Sequence, residues 1–116
     1  MLDLSQFSGT EQYHKFCLFS KKVCTDGVMH LFQEGKCFWL GDIIASYQPK
    51  LDNEPFQVWT LKKEEVNDKW LVKCEDGNGN ILITQIIEYS DFEEQTGLNK
   101  IEIWVEGDVL LLPGEH

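Results

Sequence analysis

Lys69-Trp70-Leu71-Val72-Lys73-Cys74-Glu75 runs through Asp76-Gly77-Asn78-Gly79 into Asn80-Ile81-Leu82-Ile83-Thr84-Gln85-Ile86-Ile87-Glu88-Tyr89. The first run alternates, with Trp70, Val72 and Cys74 on one face and Lys69, Leu71, Lys73 and Glu75 on the other. Asp-Gly and Asn-Gly accept the positive φ that primed hairpin turns require. After the turn Ile81, Ile83 and Ile87 face one way, and Leu82, Thr84, Ile86 and Glu88 the other. Two strands on a tight turn, each with one wet face, are the habit of an antiparallel sheet.

Further strands flank this hairpin. Phe56–Lys62 follows Pro55 and is rich in β-formers. Lys100–Glu106 alternates most cleanly, with Ile101, Ile103 and Val105 inward and Lys100, Glu102, Trp104 and Glu106 outward. Gly107-Asp108 turns the chain into Val109–Leu112, which Pro113 stops. Toward the amino terminus the period changes. Thr25-Asp26 forms an N-cap, Val28, Leu31 and Phe32 follow at helical spacing, and Gly35 closes the helix. Phe38–Gln48 has little polar face and predicts a central buried helix ending at Pro49. Ser8-Gly9-Thr10-Glu11 suggests a short helix over 10–20, with an extended segment as the alternative. The expected fold is α+β: two or three N-terminal helices packed on a C-terminal antiparallel sheet of four to five strands. It forms a single domain over 1–116, helical to about residue 50 and sheet from about 51.

Charge divides at the same point. The chain carries 20 acids against 10 lysines and no arginine, a net −10. Residues 1–50 hold five acids and five lysines, and residues 51–116 hold fifteen acids and five lysines, so the whole excess falls in the second half. Phosphate binders present cations, most often as guanidinium forks, so direct nucleic-acid binding is not expected. No apolar run nears the ~20 residues of a membrane span. Met1-Leu2-Asp3-Leu4-Ser5 lacks a basic region and an apolar core, so no signal peptide and a cytoplasmic setting are expected. Cys17, Cys24, Cys37 and Cys74 form no C-x-x-C pair and are expected as free thiols.

Few residues point to chemistry. His14, Cys17, Cys24, His30 and Cys37 are soft ligands within 24 residues, yet only His14-x-x-Cys17 has zinc-like spacing. The spacing therefore predicts no metal, and unpaired cysteines pack as small hydrophobes. No nucleophile elbow, HExxH, Walker loop or dinucleotide-binding glycine motif is present, and Gly77-Asn78-Gly79 is a hairpin tip. No catalytic residue and no cofactor is assigned. Asp42 and Ser46 share a helix face with Gln48 at its end, and with Tyr13 and His14 they form the candidate small polar site. Their structural alternative is the helix's solvent edge or internal hydrogen bonds. Trp104, outward between Glu102 and Glu106, is a candidate interface anchor, or it is covered by another element.

The acids of the second half group as Asp52/Glu54, Glu64/Glu65/Asp68, Glu75/Asp76, Glu88/Asp91/Glu93/Glu94 and Glu102/Glu106/Asp108. Carboxylates on neighbouring strands could imitate the charge density of a nucleic-acid backbone, about one per 1.7 Å of duplex axis. The competing use is solubility. A calcium loop is excluded, because no D-x-D-x-D-G run with a closing Glu exists.

Phe7-Ser8-Gly9-Thr10-Glu11-Gln12-Tyr13, Thr25-Asp26-Gly27-Val28, Trp39-Leu40-Gly41-Asp42-Ile43-Ile44-Ala45-Ser46-Tyr47-Gln48, Phe56-Gln57-Val58-Trp59 and Val109-Leu110-Leu111-Leu112-Pro113 span nearly the whole chain. In these the sequence resembles a family of short uncharacterised proteins of bacteria, cyanobacteria, plasmids and phages, a domain of unknown function. The resemblance implies an accessory, mobile-element style of gene and brings no activity. Gly41 departs from expectation, standing where a larger apolar residue would fit.

The resulting expectation is a non-enzymatic acidic interaction protein of phage or mobile-element type. Glu64, Glu65, Asp68, Glu75, Asp76, Glu88, Asp91, Glu93, Glu94, Glu102, Trp104 and Glu106 would bind and inhibit a basic, nucleic-acid-handling defence protein of the host, with nucleic-acid mimicry as one means. Two alternatives stand beside it. One is a small enzyme or ligand-binding domain at Tyr13, His14, Asp42, Ser46 and Gln48, and the other is a structural homodimer through the Trp104 face.

Overall fold

The computed structural model describes residues 2–116. Seven strands form one mixed sheet: β1 His14–Lys15, β2 Val23–Cys24, β3 Phe56–Lys63, β4 Trp70–Glu75, β5 Ile81–Ile87, β6 Lys100–Glu106 and β7 Val109–Leu111. Their order is β1-β2-β7-β6-β3-β4-β5. Three helices accompany them: α1 Asp26–Glu34, α2 Phe38–Tyr47 and the one-turn α3 Phe92–Thr96. Among the described residues, no helix is long and apolar enough to cross a membrane.

This architecture corrects the expected fold. Helices packed on a four- to five-stranded antiparallel sheet are replaced by a mainly sheet structure with short helices. The helical reading of residues 10–20 fails because Thr10 does not cap a helix of its own. Its hydroxyl instead accepts the Asp26 N–H at 2.9 Å and donates to the Gln12 carbonyl at 2.6 Å. The segment stays extended, and β1 pairs antiparallel with β2. β2 in turn lies parallel to β7, where Val23 N–H donates to the Asp108 carbonyl and Thr25 N–H to that of Leu110. The parallel contact is thus made by the amino-terminal half, which sequence periodicity assigned to helices. The strand order does not follow the chain order either. β3 lies between β6 and β4, so the β5–α3–β6 connection crosses an end of the sheet.

The pleat sorts the faces as alternation predicts. Gln57, Trp59 and Leu61 of β3, Trp70, Val72 and Cys74 of β4, and Ile103 and Val105 of β6 are buried. The register sets Trp59 between Cys74 and Ile103, and Leu61 between Val72 and Ile101. Val28, Leu31 and Phe32 of α1 and Leu40 and Ile44 of α2 complete this core. α3 is held chiefly by Phe92, fully buried and edge-on to Trp70 with ring centres 5.7 Å apart. Such a pair adds about 0.5–1.5 kcal/mol beyond its buried area.

α2 is not buried all round. Leu40, Gly41, Ile44 and Ala45 face the core, while Phe38, Asp42 and Ser46 are exposed. Gly41 has a physical reason. A Cβ there would stand 2.9 Å from both Phe16 Cδ2 and Phe32 Cε2, so the larger residue expected from sequence has no room.

Candidate functional site

The densest polar arrangement lies at the amino end of α1. Thr25 is the N-cap, its hydroxyl accepting the Val28 N–H at 3.3 Å. The Asp26 carboxylate accepts the Glu11 N–H at 3.0 Å, and His14 Nε2 lies 2.8 Å from its other oxygen. An ionised Asp26 can only accept, so Nε2 carries the proton in this contact. The Glu11 N–H, and after it His14, hold the Asp26 carboxyl below the ordinary aspartate range. Glu115 arrives from the far end of the chain. Its Oε1 accepts the Thr25 hydroxyl at 2.6 Å and the Leu112 N–H at 2.9 Å, and its Oε2 accepts the Gly27 N–H at 3.2 Å. Glu115 therefore answers an unpaired N–H group of α1, while Asp26, in the first turn, sets a second negative charge at its positive dipole end and ties the Glu11–His14 segment to it.

This corner opens into a cleft of about 560 Å³ lined by Phe7, Tyr13, His14, Lys15, Asp26, Met29, His30 and Gln33. His30 packs against Phe7 with tilted rings whose centres are 5.2 Å apart. Tyr13 and His14 from the candidate polar site lie here. Asp42 and Ser46 line a different, largely apolar cleft with Phe16, Cys17, Leu18, Phe19, Ala45 and Pro49. Gln48 belongs to neither. Its amide exchanges hydrogen bonds with the buried Gln57 at 2.9 and 3.0 Å, and Gln57 Oε1 also accepts the Trp59 indole N–H at 2.9 Å. The five residues grouped by sequence are thus distributed over three places.

The potential metal ligands are likewise apart. Among the described residues, no three His, Cys, Asp or Glu side chains gather in a way that could hold an ion. Burial pushes the Cys24, Cys37 and Cys74 thiols up to about 12, which favours the protonated thiol at neutral pH. Cys17 is the partly exposed one.

Apart from Glu102, the acidic residues named for the partner surface divide between the two ends of the sheet. The β3–β4 loop brings Glu64, Glu65 and Asp68 to one end, and the segment after β5 brings Glu88, Asp91, Glu93 and Glu94 to the same end. Lys63 ties them together. Its ammonium bonds Glu93 Oε1 at 2.8 Å, and Glu93 first, with Asp68 and Glu94 adding, raises its pKa. Lys69 pairs with Glu88 at 3.2 Å. At the opposite end stand Glu75, Asp76 and Glu106, with Asp76 held below its usual range by the Asn80 side chain and the Asn78 N–H. A strand of this length separates the two groups by roughly 20 Å.

Glu102 and Trp104 lie between these ends, on the sheet face away from the helices. Trp104 donates its indole N–H to Glu102 at 2.7 Å. It packs edge-on to Phe56 and His116, with ring centres 5.3 and 5.2 Å away. It faces outward as its strand period predicts, and is only partly exposed because these rings flank it.

Sequence reasoning missed Glu115, Thr10 and Gln57 as polar anchors. Thr25-Asp26 announced a helix start, but nothing in Pro113-Gly114-Glu115 marks a carboxylate bound for that helix. Three of the five quoted motifs meet at this corner: Thr10 and Glu11, Thr25 through Gly27, and the β7 segment with Leu112 all take part in it. No curated protein and no solved structure matches the chain. One family model does, over residues 2–116, and the chain belongs to that family, described as Family of unknown function (DUF6876).

Proposed function

We propose that this chain is a non-enzymatic binding protein that docks an acidic end of its sheet onto a basic partner. The observation that carries the reading is the convergence of Glu64, Glu65, Asp68, Glu88, Asp91, Glu93 and Glu94 at one end, where Lys63 and Lys69 are each taken up in an ion pair. Lys62 and Lys100 face each other at this end as well, but the seven carboxylates outnumber its lysines and leave a net negative field, which steers and orients a cationic surface. The partner class is a basic, nucleic-acid-handling protein of a host, in a cytoplasmic setting, and occupation of its nucleic-acid groove would inhibit it. The second acidic group, with Glu75, Asp76 and Glu106, lies roughly 20 Å away along the strands. That exceeds the ~8 Å over which exposed charges act in physiological salt. This favours docking by one end over imitation of a duplex backbone along the whole sheet.

Affinity capture from a host lysate tests the reading, with Glu64→Lys/Glu65→Lys/Glu94→Lys as the comparison. The native chain should retain a basic protein whose binding falls about tenfold from low to physiological salt, and the triple variant should retain none. Salt-independent capture, or equal capture by the variant, would refute it.

A second reading, a small-ligand site in the His14 cleft, is favoured by the fixed orientation of His14 against Asp26. Shifts of the Tyr13, His14 and His30 resonances on adding a metabolite mixture, absent in His14→Ala, would support it.

A further inference from the structure

We propose that the free edge of β5 is the surface through which two copies of this chain pair, strand against antiparallel strand. The strand order leaves two edges. At one, β1 is two residues long and carries His14 and Lys15, and a short, charged edge is the usual protection against pairing. At the other, β5 is seven residues long and reads Ile-Leu-Ile-Thr-Gln-Ile-Ile, with no charge and no proline. β5 pairs only with β4, so its outward backbone N–H and C=O groups await a partner strand. Among the described residues eight large hydrophobic side chains are exposed, and three of them lie on or just past this edge: Ile81 at 60%, Ile86 at 50% and Tyr89 at 77%.

A second copy fits the edge better than a foreign strand, because β5 is self-complementary. The register shift beside Glu75 leaves Ile83–Ile87 as its regular stretch. Two-fold pairing centred on Gln85 sets Ile87 against Ile83 of the second copy, and Ile86 against Thr84. This uncharged length of sheet margin also lets two chains of net −10 meet without setting carboxylate against carboxylate. One strand pair is a small interface, so the dimer should dissociate on dilution. Mutual repulsion of the two chains should make salt strengthen it, opposite to the docking proposed above.

Light scattering from a few to several hundred micromolar, in low and high sodium chloride, tests the pairing. The expected mass rises from 13.5 kDa to twice that value with concentration, and at lower concentration in high salt. Ile86→Lys and Ile81→Lys replace exposed side chains and lower the net negative charge, so neither adds repulsion between copies. Both should stay monomeric with unchanged circular dichroism. In the native chain, amide exchange over Ile83–Ile87 should slow as concentration rises, a readout that needs no variant. A monomer at every concentration and salt, concentration-independent exchange, or a dimer that persists in both lysine variants would overturn the proposal. If Trp104→Ala abolishes a dimer that the lysine variants retain, the interface is the open face and the β5 edge is excluded. Any of these outcomes leaves the acidic docking standing, since that rests on other residues and the opposite salt response.

Discussion

Asp26 and Glu115 sit at the amino end of α1, where each carboxylate accepts at least one backbone N–H. Glu64, Glu65 and Glu94 stand at an end of the sheet and, among the described residues, accept no hydrogen bond through their side chains. The residue type is the same and the consequences differ. A carboxylate placed against unpaired N–H groups and a helix dipole holds structure together. One left in water among mostly like neighbours adds more repulsion than attraction to the folded state, and is useful when something cationic arrives.

Glu115→Ala should produce the largest loss. It strands the Thr25 hydroxyl and two backbone N–H groups and unties the carboxyl-terminal segment from α1, a cost of about 2 kcal/mol in denaturant melts. Glu115→Gln keeps one acceptor oxygen and should lose less. If Glu115→Ala melts like the native chain, the corner is not the anchor described here.

Asp26→Asn should destabilise less, and in a pH-dependent way. The folded carboxyl titrates below its unfolded value, so its contribution is complete above about pH 4 and fades as pH falls through the folded pKa. The stability difference between native chain and variant should therefore be full at pH 7 and shrink below about pH 4. A difference that stays constant over that range, followed by urea titration, would contradict the assignment.

Glu64→Gln/Glu65→Gln/Glu94→Gln should change stability least, by under about 0.5 kcal/mol and in the favourable direction, because repulsion is relieved. A substantial destabilisation would mean that these residues carry structure, and would remove the contrast between the two groups.

Much of the sheet was legible because a period of two survives any packing. Lys100–Glu106 has the predicted bounds, and Trp104 faces outward as counted. The two main helices were legible from Thr25-Asp26, Gly35 and the apolar runs, for caps and spacing are local signals. The strand order was not. β3 between β6 and β4, and β2 beside β7, depend on contacts between residues far apart in sequence. The candidate sites followed the same rule. The acidic loops were named correctly as a composition, yet their division into two ends required the register. The Tyr13, His14, Asp42, Ser46 and Gln48 grouping dissolved because adjacency on a helix face does not say what covers that face.

The sequence by itself determined the alternation of the strands, the caps of α1, and the location of the −10 charge after residue 51, since each follows from local spacing or from counting. Only the tertiary structure decided that Glu115 reaches α1, that Gly41 must lack a side chain between Phe16 and Phe32, and that uncharged β5 ends the sheet. These depend on how chain segments remote in sequence approach one another, and that is set by packing the whole core at once.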